Sequence, residues 1–280
     1  CGDGGAAQAV KAVLQDEGCR EMISMRRTKT ADTITYEEAC AKHHDCQIIV
    51  NTSPCGMYPN HLDRPIDLAA FPDCEAVVDL IYNPLQTRLC VQAKKRNIRC
   101  AGGLEMLVAQ AKYAVEFFQQ TKLADTIIDT IVTQLMSEKR NIVLIGMPSC
   151  GKTTIAQSLA KRLNREVVDL DEMLVNQQQK SIKAIMAEGG EAEFRRLESE
   201  VVKQISKQQG LIIATGGGVI KNPINPELLS MNGTLFYIKR PIEQLSVDDN
   251  RPLSSSKEAI AVLWKERKAL YEQYADVEIE

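Results

Sequence analysis

The stretch IVLIGMPSCGKTTIAQSLAKRL, residues 142–163, decides the fold of the C-terminal half of the chain. It begins with apolar residues typical of a buried strand, continues through a loop of pattern GxxxxGKT at residues 146–153, and ends with apolar residues at helical spacing. The loop glycines let backbone N–H groups point at one centre, and the start of the helix adds positive charge. The sequence therefore predicts a phosphate-binding loop between a strand and a helix, the context in which this pattern is specific.

Residues of this loop have the chemistry that a nucleotide and its metal ion require. Lys152 can reach the bridging and terminal phosphates, and the Thr153 hydroxyl can occupy one position on a magnesium ion. A chance match on an ordinary strand-to-helix turn is the alternative, and the flanking strand and helix argue against it. The predicted ATP-binding residues of the loop are Gly146, Ser149, Cys150, Gly151, Lys152, Thr153 and Thr154.

Length and composition limit the classes of function. The chain has 280 residues, enough for two domains, with 44% apolar and 25% charged residues. A net charge of −3 without a basic run argues against nucleic acid or a membrane surface as partner. Because there is no signal peptide and no apolar run near the ~20 residues that span a bilayer, we expect a cytoplasmic protein. The oligomeric state is left open.

The nine cysteines are scattered and form no CxxC pair, so we expect reduced thiols. One cluster, Cys40, His43, His44 and Cys46, could converge on zinc, but it lies where a helix gives way to a strand and a solvated helix end is the favoured interpretation. The chain begins at Cys1, directly before a glycine-rich turn, and we therefore expect a segment of a longer polypeptide.

The N-terminal segment has the features of a dinucleotide site. Gly2, Gly4 and Gly5 precede a predicted helix, an arrangement in which pyrophosphate lies at the helix N-terminus. Residues 26–29, RRTK, end the next predicted strand, where an NAD enzyme would place a carboxylate. These residues suit the 2′-phosphate of NADP, and a basic solvated loop is the alternative.

Residues 1–120 resemble the cofactor-binding half of the shikimate dehydrogenase family. The motifs are GDGGAA, RRT, NTSPCGM, DLIYNPLQTRL and GGLEMLVAQA. The resemblance implies a Rossmann-like fold and the reduction of 3-dehydroshikimate. The family's catalytic lysine and aspartate belong to an N-terminal domain that this sequence does not include, so this activity is expected of an intact chain and not of this segment alone. It implies NADP contacts from the glycine turn with Gly2, Gly4, Gly5 and Ala6, from Arg27 and Thr28, and, beside the nicotinamide, from Asn51, Thr52 and Met57. Tyr82 and Gln110 are implied to face shikimate.

An amphipathic helix is predicted from residue 123, with Ile127, Ile131 and Leu135 on one stripe. We expect it to pack on the N-terminal domain and to be followed by a short polar linker at residues 137–140. The predicted domains are therefore residues 1–137 and 138–280. The predicted fold class is α/β: a partial Rossmann-like NADP-binding domain, then a P-loop kinase domain with a parallel sheet flanked by helices.

Acidic side chains follow the next predicted strand, VVDLD at residues 167–171. Strand alternation would place Asp169 and Asp171 on one face, near the phosphate-binding loop. Asp169 could hold magnesium through water, and Asp171 could orient a substrate hydroxyl for attack. A pair of solvated strand-end acids is the alternative.

Basic residues and glycines supply candidates for an anionic substrate. Arg195 and Glu198 lie three residues apart on a predicted helix, where the carboxylate could hold the guanidinium ready for a substrate carboxylate; an exposed ion pair is the alternative. Arg267 lies on the inward stripe of a helix at residues 257–274, with a snorkelling surface arginine as the alternative. The run Gly216–Gly217–Gly218 follows a buried strand and permits close approach of a ligand. Arg251, in a polar loop, could reach the phosphates from a lid.

This segment resembles the shikimate kinase family through GMPSCGKTT, DLDE, GEAEFRRLE, ATGGG, RPL and KERKALY. The resemblance implies phosphorylation of the shikimate 3-hydroxyl by ATP in aromatic amino-acid biosynthesis, with Lys152, Asp171 and Arg251 as catalytic residues. It implies that shikimate is held by Asp171, Phe194, Arg195, Gly216, Gly217, Gly218 and Arg267, and that Lys152, Thr153, Asp169 and Arg251 serve ATP and Mg²⁺.

Two departures from the family pattern lead us to expect reduced nucleotide affinity. Residues 245–249, LSVDD, lack the second lid arginine, and the chain ends at residue 280, before the family's adenine loop. The alternatives are a P-loop kinase for another small carboxylated metabolite and a nucleotide-binding module without turnover.

Overall fold

The computed structural model describes residues 1–246 and 256–280. The chain divides into two units, Cys1–Leu135 and Met136–Glu280, so the division falls just before the predicted boundary. Both units contain parallel strands connected by helices, which confirms the predicted α/β class. Among the described residues, no helix has the length and apolar character needed to cross a bilayer.

The N-terminal unit contains two small parallel sheets. The strands are β1 (Met25–Arg26) and β2 (Ile34–Thr35) in one sheet, and β3 (Ile48–Asn51), β4 (Ala76–Asp79) and β5 (Arg99–Ala101), in that order, in the other. The helices are α1 (Gly5–Asp16), α2 (Tyr36–Lys42), α3 (Arg88–Lys95), α4 (Leu104–Gln119) and the first part of α5 (Thr126–Lys139). Its core includes Ile49, Leu68, Phe71 and Leu89, each with at most 1% of its surface exposed.

The described residues of the C-terminal unit form one five-stranded parallel sheet. The strands are β6 (Asn141–Ile145), β7 (Val167–Asp169), β8 (Ile212–Ala214), β9 (Gly233–Ile238) and β10 (Val277–Ile279). Their order in the sheet is β10-β9-β6-β8-β7, so β6 is central and its side chains from Val143 to Ile145 are almost fully buried. The phosphate-binding loop therefore leaves the carboxyl end of the central strand, where open α/β sheets bind ligands.

Helices flank this sheet. They are α6 (Lys152–Leu163), α7 (Leu170–Gln178), α8 (Ile182–Ile205), α9 (Ile224–Asn232) and α10 (Lys257–Tyr274). The long helix α8 is kinked at Gly190, whose φ of 72° and ψ of −177° are adopted almost only by glycine. The kink turns the chain immediately before the segment that carries Phe194 and Arg195.

One local prediction is wrong. The expected linker at residues 137–140 is not a loop, because α5 continues through Lys139 and β6 begins at Asn141.

The predicted packing of α5 is only partly realised. Ile127 and Leu135 are half-buried and Ile131 is exposed, and no residue of this helix is fully buried against the described part of the chain.

Candidate active site

The phosphate-binding loop has the backbone that its glycines were expected to provide. Gly146 has a φ of 146°, and a Cβ atom there would lie 2.8 Å from the Ile238 carbonyl oxygen. Gly151 has a φ of 95° and forms the N-cap of α6. Lys152 is 5% exposed, and its Nζ donates to the carbonyl oxygens of Gly146, at 3.0 Å, and Met147, at 2.7 Å. The ammonium group is thus held against the loop that it would serve.

A cavity of about 300 Å³ opens above this loop. Its lining includes most of the predicted nucleotide residues, among them the end of the loop and the start of α6. The lining residues are Ser149, Gly151, Lys152, Thr153, Thr154, Asp169, Thr215, Arg240 and Ser246. The last three were not predicted. Cys150, which was predicted to bind ATP, is buried beneath the loop and does not line the cavity.

A hydroxyl and a carboxylate meet at the edge of the cavity. The Thr153 hydroxyl donates to Asp169 Oδ2 at 2.8 Å. Asp169 is also the N-cap of α7, and its Oδ1 accepts the backbone N–H groups of Asp171, at 3.0 Å, and Glu172, at 3.4 Å. Hard oxygen donors fixed in this way fit a magnesium ion that keeps several of its waters.

Asp171 does not lie on a strand, contrary to the prediction. β7 ends at Asp169, and Asp171 is in the first turn of α7. The argument from strand alternation is therefore wrong, but the side chain still reaches the glycine turn, because a Cβ atom on Gly216 would lie 2.7 Å from Asp171 Oδ1. The first turn of α7 therefore places the Asp171 carboxylate beside the glycine turn.

Arg195 is fixed by carboxylates on both sides. Its Nη1 donates to Glu198 Oε2 at 2.9 Å, and its Nη2 donates to Glu191 Oε1 at 3.2 Å. The Arg195 side chain is 16% exposed and that of Glu198 is 4% exposed, so the alternative of an exposed ion pair is wrong. The guanidinium also lies over the ring of Phe194, 4.9 Å from its centroid.

Arg267 is buried, with 2% of its surface exposed, so the snorkelling alternative is wrong. Its Nη1 donates to the Gly217 carbonyl oxygen at 3.0 Å, an oxygen that also accepts from the Tyr271 hydroxyl. Within the described part of the chain, its Nε and Nη2 have no hydrogen-bond partner. Buried donors without a partner are rare, and in a charged group they indicate a place for a bound anion.

Glu198 contributes an opposite charge to this region. Burial raises the pKa of its carboxyl group, and Arg195 partly offsets that rise. Its Oε1 has no hydrogen-bond partner among the described residues. An unpaired carboxylate oxygen on Glu198 and unpaired donors on Arg267 thus lie in the same region of the described chain, a combination that is rare for buried polar groups.

The glycine turn after β8 allows these side chains to converge. A Cβ atom on Gly218 would overlap the guanidinium of Arg195, and one on Gly217 would lie 2.7 Å from Pro148 Cδ in the phosphate-binding loop. Residues 216–218 therefore have to be glycine for the acidic, basic and phosphate-binding parts to approach one another. Thr215, which precedes them, donates from Oγ1 to the Leu144 carbonyl oxygen at 2.9 Å and links the turn to β6.

Arg251, predicted to act from a lid, lies outside the described residues. Its role stays a prediction.

In the N-terminal unit, the glycine turn lies next to the end of β1. The Gly2 N–H donates to the Met25 carbonyl oxygen at 2.8 Å, and the Thr52 N–H donates to the Cys1 carbonyl oxygen at 2.9 Å. Gly4, Gly5 and Ala6 are exposed at the start of α1, so the N-terminus of this helix is accessible. Arg27 and Thr28 are also exposed at the end of β1.

Two of the basic residues in the RRTK stretch at the end of β1 have carboxylate partners. Lys29 pairs with Glu38 at 2.8 Å, and Arg26 lies 4.0 Å from Asp3 in the glycine turn. The NADP contacts predicted for Arg27 and Thr28 stay predictions.

The remaining predicted dehydrogenase residues differ in burial. Met57, Tyr82 and Gln110 are exposed and accessible to a ligand. Asn51 is fully buried, and its amide nitrogen donates to Asp79 Oδ1 at 3.0 Å and to the Cys55 carbonyl oxygen. Its side chain therefore organises the ends of β3 and β4.

The cysteines form neither disulfides nor a metal site. All nine are free thiols, as expected. In the part of the chain that the structure describes, no three His, Cys, Asp or Glu side chains are close enough to hold a metal ion, and His44 Nδ1 is instead 2.8 Å from the Ala70 carbonyl oxygen.

Comparison with known proteins covers both units. The solved structure of shikimate dehydrogenase 1 from Peptoclostridium difficile aligns at 32% sequence identity, covering 48% of this chain and 52% of that chain, with a TM-score of 0.44. The solved structure of shikimate kinase from Acinetobacter baumannii, in complex with shikimate, aligns at 33% identity, covering 53% of this chain and 87% of that chain, with a TM-score of 0.50.

The sequence comparisons concern the C-terminal unit. The family model for shikimate kinase matches residues 148–280. The shikimate kinase of Clostridium botulinum (strain Eklund 17B / Type B) is 43% identical over 139 residues, which are 48% of this chain and 84% of that protein. Through this region, the chain belongs to the shikimate kinase family.

Proposed function

We propose that the C-terminal unit transfers the γ-phosphoryl group of ATP to the 3-hydroxyl of shikimate, giving shikimate 3-phosphate and ADP. The observation that carries the proposal is the buried guanidinium of Arg267, which has two unpaired donors beside the glycine turn and close to a phosphate-binding loop. A small carboxylate with hydroxyl groups satisfies these donors and the free oxygen of Glu198 together.

The phosphate-binding end holds the nucleotide. The backbone N–H groups of residues 149–153 and the N-terminus of α6 bind the phosphates, and Lys152 neutralises the bridging and terminal oxygens. Thr153 and Asp169 would hold Mg²⁺, directly and through water. When bound, the ion supplies charge neutralisation on the β- and γ-phosphates.

The acceptor end holds shikimate. Arg195 and Arg267 bind the carboxylate, with Arg195 kept in position by Glu191 and Glu198. Phe194 packs against the ring, and the backbone of the glycine turn contacts the hydroxyl groups. The Acinetobacter baumannii relative was solved in complex with shikimate, which supports this class of substrate.

Asp171 orients the attacking hydroxyl. The substrate oxygen forms a bond to the γ-phosphorus, the bond from that phosphorus to the bridging oxygen breaks, and ADP leaves with the electron pair. Asp171 accepts the hydroxyl proton, while Lys152 and Arg251 neutralise the charge that shifts between the phosphates. Positioning and charge neutralisation supply most of the rate acceleration, because phosphoryl transfer needs little covalent help from the protein.

The substrate assignment is tested by removing the negative charge of the shikimate carboxylate, which Arg195 and Arg267 are proposed to bind. We expect shikimate to stimulate ADP release, and we expect its methyl ester, which keeps every hydroxyl group but lacks the negative charge, to do so at least tenfold less well. An equal response to acid and ester would contradict the carboxylate site. Turnover with a different small hydroxy acid, but not with shikimate, would instead favour a kinase for another metabolite.

We further propose that the N-terminal unit binds NADP and, in an intact chain, takes part in the reduction of 3-dehydroshikimate. The supporting observation is the hydrogen bond from the Gly2 N–H to the Met25 carbonyl oxygen, which brings the glycine turn next to the strand that ends at Arg26, directly before Arg27. Titration of the whole chain with NADPH and NADH, followed by nicotinamide fluorescence, tests this. Tighter binding of NADPH, lost in Arg27→Ala, is expected; equal binding of both would count against a 2′-phosphate site.

A further inference from the structure

Arg240 lines the nucleotide cavity, although neither the loop motif nor the sequence patterns single it out. We propose that Arg240 binds the phosphate chain of the nucleotide from the side opposite Lys152. The inference rests on the proposed function of the same site and adds a residue that governs the affinity for nucleoside diphosphates and triphosphates.

The position of Arg240 follows from the register of the sheet. β9 pairs in parallel with β6, with Tyr237 opposite Ile145, so both strands end at the same level. A Cβ atom on Gly146 would lie only 2.8 Å from the Ile238 carbonyl oxygen, so the end of β9 packs closely against this glycine. The residues directly after β9 therefore emerge beside the first glycine of the phosphate-binding loop.

The guanidinium reaches the other end of the loop. A Cβ atom on Gly151 would lie 3.7 Å from Arg240 Nη1, and Gly151 is the N-cap of α6. A cation at the positive end of a helix is unfavourable unless an anion lies between them. The same place is bordered by Lys152, so two cations and a helix N-terminus converge on one cavity. A polyphosphate provides the negative charge that this arrangement lacks.

The protein itself does not neutralise Arg240 within its described residues. The side chain is exposed, and its Nε donates to the neutral amide oxygen of Gln244 at 3.4 Å. Asp169 lines the same cavity, and among the described residues its carboxylate contacts the Thr153 hydroxyl and the start of α7 and forms no ion pair with Arg240. The adjacent cation, Lys239, differs in this respect, since it pairs with Glu278 at 2.5 Å.

Arginine suits this task because its planar fork can donate two parallel hydrogen bonds to phosphate oxygens. The loop end at Gly151 receives the phosphate chain, so the contact is to phosphate and not to the base. Because Arg240 lines the cavity together with Lys152, the loop lysine that reaches the bridging and terminal phosphates, we expect it to contribute more to binding nucleotides with a β-phosphate than nucleoside monophosphates.

The test is direct binding of ADP and AMP to the whole chain by titration calorimetry. We expect Arg240→Ala to weaken ADP binding about tenfold or more, Arg240→Lys to restore part of the loss, and AMP binding to change less than ADP binding. The matched control is Lys239→Ala, which removes the neighbouring cation and should leave ADP binding unchanged. In turnover assays the KM for ATP should rise with the KM for shikimate nearly constant.

Unchanged ADP binding in Arg240→Ala, with a thermal unfolding profile like that of the unmodified chain, would overturn the inference. Equal losses for ADP and AMP would also overturn it, because they would locate the contact away from the β-phosphate. The binding measurement does not depend on turnover. A chain that binds ADP through Arg240 yet phosphorylates no shikimate would contradict the proposed function and leave this inference standing.

Discussion

Among single residues, Arg267 is the side chain that most restricts the classes of substrate that the site could bind. It lies within a helix and is almost fully buried. Its Nη1 donates to the Gly217 carbonyl oxygen, while its Nε and Nη2 have no hydrogen-bond partner in the described residues. A buried unpaired charged group is costly, and a bound carboxylate removes that cost. In the proposed function, α10 therefore provides a binding site for the substrate carboxylate beside the glycine turn.

Replacing Arg267 by lysine tests this account. Lysine keeps the charge but cannot donate in a fork, so we expect the KM for shikimate to rise at least tenfold while the KM for ATP changes less than twofold. Steady-state kinetics with each substrate varied in turn measures the split. Arg196→Lys, on the exposed face of α8, is the control and should change neither value. Equal increases for both substrates would remove Arg267 from the shikimate site.

The burial of Glu198 leads to a separate prediction, which concerns how the free energy of unfolding depends on pH. Burial raises the pKa of its carboxyl group in the folded chain, so the folded state holds this proton more tightly than the unfolded state. The free energy of unfolding should therefore fall as the pH rises from the ordinary glutamate value of about 4.5 through the raised pKa.

In Glu198→Gln this decrease should be absent, and urea unfolding of the two proteins at several pH values measures the difference. Glu200→Gln, an exposed position on the same helix, should keep the decrease. A pH profile of Glu198→Gln that matches the unmodified chain would show that burial does not shift this group.

At the scale of elements, the glycine turn after β8 brings the parts of the site together. It lies against Pro148 of the phosphate-binding loop, Asp171 of α7 and Arg195 of α8. These three side chains belong to elements that are far apart in the sequence. The turn is narrow because it has no side chains, and in the proposed function its shape sets how closely the phosphate-binding loop approaches the side chains that hold the acceptor.

Gly218→Ala should therefore impair function more than folding. The new methyl group would occupy the place of the Arg195 guanidinium, which is the flexible end of a side chain and can move away. We expect a rise in the KM for shikimate of tenfold or more, with ADP binding and thermal unfolding close to those of the unmodified chain. Retention of the normal KM for shikimate would mean that Arg195 does not bind it from this position.

Elements that depend on a local sequence pattern were predicted more accurately than those that do not. The strand, loop and helix at residues 142–163 were predicted correctly because the pattern is local and specific. Asp171 was predicted to lie on a strand because VVDLD alternates between apolar and acidic residues. In the structure Asp169 instead caps a helix. The sequence contained a signal for this helix start, because Asp169 is followed three residues later by Glu172. The polar residues at 137–139 were mistaken for a linker because the last turn of a solvated helix has the same composition.

Other parts of the site depend on contacts between distant segments. Arg240 borders the nucleotide cavity only because β9 pairs with β6 in a particular register, which no local pattern encodes. Likewise, Arg267 could be placed on an inward stripe by its spacing, but its unpaired donors appear only when α10 meets the turn after β8. Periodicity predicts which face of a helix is buried, and the tertiary structure determines what that face contacts.

At the scale of the whole molecule, each unit supports its own proposal. The C-terminal unit combines a phosphate-binding cavity with a buried site for an anion, and the N-terminal unit combines a glycine turn with a basic strand end. The proposed reactions share one compound, because the reduction of 3-dehydroshikimate forms the shikimate that the kinase consumes. The C-terminal unit is the part that belongs to the shikimate kinase family, and the activity proposed for it is phosphorylation of shikimate.

The most direct test is shikimate-dependent release of ADP by the whole chain, measured with a coupled assay in the presence of ATP and Mg²⁺. We expect release that requires shikimate, saturates with it, and is abolished in Lys152→Ala, which removes the cation held against the phosphate-binding loop. Formation of shikimate 3-phosphate in a one-to-one ratio with ADP identifies the product. ADP release that is the same with and without shikimate would contradict the proposed shikimate kinase activity.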